Sequence, residues 1–119
     1  MKTYKDLIVW QKGVQLVVLI YKLLNNFPKE EVFGLSSQIK RSAISIPSNI
    51  AEGKMRGSNN EFKRFLLIAY GSGAELETQI EISKKLEKTK KLDYKEIDEL
   101  LLEIMKILNK LIKELEPKA

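Results

Sequence analysis

Cysteine and histidine are both absent from this chain. Without cysteine there is no disulfide to form and no thiolate to attack a substrate or bind a metal, and the chain reads as an intracellular protein. Without histidine the commonest metal ligand is missing, as is the usual general base near neutral pH. The expectation is a protein that is not an enzyme, with no metal and no cofactor. Long apolar runs are lacking too: none approaches the roughly 18 residues that a membrane span needs. Lys5, Asp6 and Lys12 interrupt the first apolar stretch where a signal peptide would be continuous. These absences predict a cytoplasmic location with no membrane contact.

What is present suits a helix-rich domain. The 119 residues are 44% hydrophobic and 31% charged, enough for one domain over 1–119 that buries about two thirds of its unfolded surface. The net charge of +5 is unevenly placed: residues 1–60 hold nine Lys/Arg against four Asp/Glu, and residues 61–119 hold twelve of each. A basic half in an otherwise balanced chain points to a polyanionic partner, RNA or DNA.

Apolar periodicity predicts four helices. The first covers Tyr4 to Leu24, with Leu7, Trp10, Val14, Val17, Tyr21 and Leu24 as its inward stripe, and ends at Asn25, Asn26 and Pro28. A turn through Val32, Phe33 and Gly34 leads to a second helix, Leu35 to Glu52, striped by Leu35, Ile39, Ala43, Ile46 and Ile50. Gly53 and Gly57 bracket a basic loop, Lys54-Met55-Arg56. The third helix opens on a capping box between Ser58 and Glu61. It buries Phe62, Phe65, Leu66, Ala69, Gly73, Leu76 and Ile80, and fades near Lys88. The fourth is expected to begin with Asp93 capped against Glu96, to bury Ile97, Leu101, Ile104, Leu108, Leu111 and Leu115, and to stop at Pro117. Short connections make neighbouring helices antiparallel, giving an all-α, up-and-down four-helix bundle.

Apolar residues exceed what one bundle core needs. Ile97 to Leu115 contains eleven in nineteen, where about eight would serve. The first helix adds Ile8, Val9, Leu16, Leu19, Ile20 and Leu23 outside its stripe. Such surplus surface predicts a homo-oligomer.

Three features invite a functional reading. Pro47 sits inside the second helix, where it removes a backbone hydrogen bond and should kink or open the helix; Ser45, Ser48 and Asn49 can then bond the freed carbonyls or face a ligand. Gly71-Ser72-Gly73 lies mid-helix, at a cost near 1 kcal/mol per glycine, which predicts close approach of the second helix beside Ser45 and Asn49. Lys40, Arg41, Lys54, Arg56, Lys63 and Arg64 form a basic constellation with only Glu52 and Glu61 interleaved. It is expected to attract phosphate, with Asn49 as a further candidate contact. The carboxylates Glu75, Glu77, Glu81, Glu96, Glu99 and Glu103 are expected to be solvated or paired with lysines, because a di-iron bundle site also needs histidine.

The segments YKDLIVWQKG, FPKEE, QIKRSAISIPSNIAEG and EFKRFLLIAYGSGAELETQ resemble the bacterial four-helix bundle family named for proteins encoded in intervening sequences of 23S ribosomal RNA genes. The resemblance spans nearly the whole chain. It implies an up-and-down bundle assembled as a homopentameric ring, and a fold similar to the accessory protein of diversity-generating retroelements, a basic pentamer that binds nucleic acid and a reverse transcriptase. It implies no catalytic residues. Two positions depart from the family pattern: Tyr70 stands where many relatives carry arginine, and Gly73 where they carry a larger residue. The reading that follows is a non-enzymatic nucleic-acid-binding oligomer, with a scaffold for a protein partner as the alternative.

Overall fold

Helix α1 (Ile8–Leu24) is apolar on most of its circumference, and a glycine decides which face turns inward. Gly13 is buried against α2 (Leu35–Met55): a Cβ built on it would lie 3.2 Å from the Pro47 Cβ. The inward face is therefore Val9, Gly13, Leu16, Ile20, Leu23 and Leu24. This corrects the expected stripe, because Val14 and Tyr21 stand 39% and 43% exposed while Val9, Leu16 and Ile20 are sealed. With apolar residues all round, periodicity alone could not choose between two overlapping stripes. A short 3₁₀ turn, Tyr4–Asp6, replaces the expected first helical turn, closed by a capping box between Thr3 and Asp6.

The computed structural model describes residues 3–31 and 34–117; the expected turn residues Val32 and Phe33 lie outside the described residues. Helix α2 passes through Pro47 without a break and continues to Met55, three residues beyond the expected end at Glu52. Gly53 is thus not a loop residue. It is buried inside the last turns, with the Phe65 Cβ only 2.5 Å from where its own Cβ would stand. The helix stops at Arg56, followed by Gly57 at φ +84°, the left-handed cap that glycine adopts without strain.

Helix α3 (Asn59–Ser83) starts at Ser58, whose hydroxyl accepts the Glu61 amide at 3.1 Å. The expected inward residues, Phe62 through Ile80, are all buried. Two glycines of the Gly-Ser-Gly run behave differently from the expectation. Gly73 faces α4 (Lys95–Glu114), not α2: its Cβ would meet the Met105 sulfur at 2.2 Å. Gly71 has open space around it. Ser72, between them, bonds to α2, sharing a 2.8 Å hydrogen bond with Ser45.

The helix ends at Ser83, short of the expected Lys88, because the following chain is pinned from inside. Buried Thr89 donates to the Ser83 carbonyl at 2.7 Å, and the buried Tyr94 hydroxyl donates to the Thr89 carbonyl at 2.8 Å. Tyr94, not Asp93, is the N-cap of α4; the Asp93 carboxylate accepts the Lys95 amide instead of that of Glu96. Along α4 the core takes Ile97, Leu101, Ile104 and Leu108 as expected, then Met105 and Ile112 in preference to the half-buried Leu111 and Leu115.

Each helix packs on two neighbours in cyclic order, α1 on α2 and α4, α3 on α2 and α4, with the broadest contact between α2 and α3. This is an antiparallel four-helix bundle measuring 49 × 26 × 21 Å. Among the described residues no helix is long and apolar enough to cross a membrane.

Candidate nucleic-acid interface

The link Arg56-Gly57-Ser58 joins α2 to α3 in one tight turn, because Gly57 closes one helix and Ser58 opens the next. Gly53 lets the two helices cross closely over Phe62 and Phe65. Four cations gather at this end of the bundle. The Lys54 ammonium lies 5.2 Å from the Phe62 ring centroid. The guanidinium groups of Arg56 and Arg64 lie 4.9 and 4.6 Å from the centroid of one ring, Phe65. Lys63, between these aromatics in sequence, has no ion pair among the described residues.

Two carboxylates sit among them. Glu52 pairs with Arg56 at 2.7 Å, and Glu61 pairs with Arg64 at 2.9 Å and Arg56 at 3.5 Å. The hydrogen bond from Arg64 is the main reason that the Glu61 carboxyl is held below its ordinary value, and the bond to Glu52 raises Arg56 further above its own. Glu61 is thereby drawn away from the reciprocal half of the expected capping box. Exposed pairs of this kind are weak and screened by salt, so a phosphate can compete for either arginine. Four cations against two carboxylates leave the tip net positive.

Not all of the expected constellation converges here. Lys40 and Arg41 lie on α2 some fifteen residues before Arg56, about 22 Å away at 1.5 Å rise per residue. Lys40 sits 5.1 Å over the Tyr21 ring, bridging α2 to α1, while Arg41 is exposed and without an ion pair among the described residues. Asn49 is engaged within α2, where its amide donates to both the carbonyl and the hydroxyl of Ser45 at 2.8 Å. With Ser45–Ser72, and Ser42 donating to Glu75 at 3.2 Å, it forms a polar seam between α2 and α3. The amide nitrogen of half-buried Asn49 is therefore engaged within the fold. Sequence spacing assigns Phe62 and Phe65 to the core alone; the alternation Phe62-Lys63-Arg64-Phe65 is the available sign that these rings also steer cations.

Among the described residues no group of His, Cys, Asp or Glu is arranged to hold a metal. Among the carboxylates of α3 and α4, Asp98 and Glu81 pair with Lys84 at 2.6 and 3.2 Å and Glu103 pairs with Lys12 at 3.1 Å, while Glu75 accepts from Ser42.

The geometry defines a small antiparallel four-helix bundle with a basic tip between its second and third helices. The chain belongs to the 23S rRNA-intervening sequence protein family, whose model matches residues 5–110. A crystal structure of a protein of unknown function from the S23 ribosomal protein family of Bacteroides thetaiotaomicron is similar in fold and sequence. It superposes with a TM-score of 0.77 at 33% identity, over 89% of this chain and 99% of that one. No curated protein matches the chain.

Proposed function

We propose that this protein is a non-enzymatic, cytoplasmic homo-oligomer that binds RNA or DNA through phosphate contacts with little sequence preference. The observation that carries the reading is the cluster of Lys54, Arg56, Lys63 and Arg64 at the α2–α3 tip, oriented by Phe62 and Phe65. Arg41 extends the positive face along α2. Self-association is supported by apolar side chains left in water on the α1–α2 side. Val14, Val18, Tyr21 and Ile44 are each 39–50% exposed, and a second copy of the chain is the partner such a self-made surface fits. A ring of copies, five in the family assembly that the sequence resembles, would repeat the basic tip around its circumference.

Electrophoretic mobility shift with a structured RNA at two salt concentrations tests the reading. Binding should weaken steeply with salt, and the triple variant R41E/R56E/R64E should bind at least about tenfold more weakly. Absence of binding at low salt, or indifference to that charge reversal, would overturn it.

A second reading is a scaffold for another protein, favoured by the further exposed apolar residues Leu67, Ile68, Ile82, Leu86 and Leu102. It predicts a complex that survives nuclease treatment and ignores the charge reversals.

A further inference from the structure

The most exposed large apolar side chain among the described residues is Met55, at 71%. It occupies the last turn of α2, directly between Lys54 and Arg56. Its two sequence neighbours are cations anchored on aromatic rings, Lys54 on Phe62 and Arg56 on Phe65. Arg56 and Arg64 are each held near the Phe65 ring, yet their side chains remain 45% and 56% exposed. A guanidinium fixed in this way keeps a planar, weakly hydrated surface open to solvent, and such surfaces stack on nucleobases. The Met55 thioether is soft and flexible, suited to an apolar base face.

Aromatics lie at the same end of the bundle. Gly13 beside Pro47 and Lys40 over Tyr21 fix α1 antiparallel to α2, so residues preceding Gly13 run toward the C-terminal end of α2. The Tyr4–Asp6 turn packs on α2 there, and half-buried Tyr4 meets half-buried Trp10 edge to face at 5.3 Å.

A duplex hides its base faces within the stack. A tip carrying planar cations and an apolar finger has use for those faces only where bases are unpaired. We infer that the α2–α3 tip takes nucleic acid at unpaired bases, in a single strand or loop, with Met55 contacting a base while Arg56 and Arg64 stack and Lys54 and Lys63 hold phosphate. This rests on the nucleic-acid reading above and specifies its ligand.

Fluorescence anisotropy of the full chain with labelled RNA probes of equal length, one single-stranded, one a hairpin with a large loop and one a blunt duplex, tests it. The single strand and the loop should bind about tenfold more tightly than the duplex. Met55→Ala should weaken single-strand binding about fivefold, leaving duplex binding and the salt slope unchanged, since no charge is lost. The R56K/R64K variant keeps both charges and removes both planes; it should lose more affinity for the single strand than for the duplex and so narrow the gap between them. Equal affinity for duplex and single strand, or an unaltered Met55→Ala, overturns the inference while leaving phosphate binding intact. No binding to any probe at low salt overturns both, and a nuclease-resistant protein complex lost in Met55→Ala would assign the tip to a protein instead.

Discussion

A Cβ placed on Gly53 would stand 2.5 Å from the Cβ of Phe65, and this contact sets how closely α2 and α3 can cross. Phe65 cannot retreat by rotating its side chain, because its Cβ is fixed by the backbone. Gly53→Ala should therefore destabilise by about 1–3 kcal/mol, despite alanine's better helix propensity. Urea unfolding followed by circular dichroism reads this as a lower midpoint. Gly73→Ala meets the Met105 sulfur at a nominal 2.2 Å, but that atom lies far out on a flexible side chain. Its cost should be much smaller, within about 1 kcal/mol of wild type.

Gly71 gives the opposite sign. It sits in mid-helix with nothing within 4 Å of its would-be Cβ. Gly71→Ala should raise stability by about 0.5–1 kcal/mol, through helix propensity and a less flexible unfolded chain. The same urea titration checks it.

The Ser45–Ser72 bond can be weighed by a double-mutant cycle. Ser45→Ala, Ser72→Ala and the pair should give a coupling energy of about 0.5–1.5 kcal/mol. Asn49→Ala should destabilise to a similar degree and leave RNA affinity unchanged, as fits a side chain committed to Ser45.

Alkaline pH should find the α3–α4 connection first. Burial pushes the Tyr94 phenol above its ordinary value of 10.0, and the hydrogen bond to Asp98 raises Lys84 above 10.5. Both folded-state values are raised, so each group's stabilising contribution is complete below its unfolded value and lost as pH climbs through the folded one. Thermal unfolding scans should show Tm flat toward neutral pH and falling above about pH 10. Tyr94→Phe, though less stable at neutral pH, should show a shallower alkaline decline.

The exposed α1 face predicts assembly. Light scattering should give a multiple of the 13.7 kDa chain mass. The V18D/Y21D variant charges a surface that is already in water in the single chain, and should yield the monomer with its helicity retained. A wild-type monomer would contradict the self-association reading.

The α3 face is legible in the sequence because Phe62, Phe65, Leu66, Ala69, Gly73, Leu76 and Ile80 keep helical spacing over the whole helix, although Leu67, Ile68 and Ile82 stand exposed beside them. Helix α1 is not, since its surplus apolar residues support two stripes, and the choice falls to a glycine–proline contact between distant positions. A close approach at Gly73 can be read from its mid-helix position, but not the neighbour that makes it. Spacing along a helix carries no information about which of two flanking helices comes nearer. The tip is half legible. Its four cations follow from their closeness in sequence across a turn, whereas Lys40 and Arg41 belong to the same basic run in sequence and are carried away from it by the length of α2.

The polar seam of Ser42, Ser45 and Asn49 against Ser72 and Glu75 lies within the segments through which this chain resembles its family. Those residues are occupied in holding two helices in register. Membership of the family certifies this architecture, and the seam that maintains it is separate from the cations of the tip. A change at the tip can therefore alter its surface while the two helices stay locked together by side chains that never reach it.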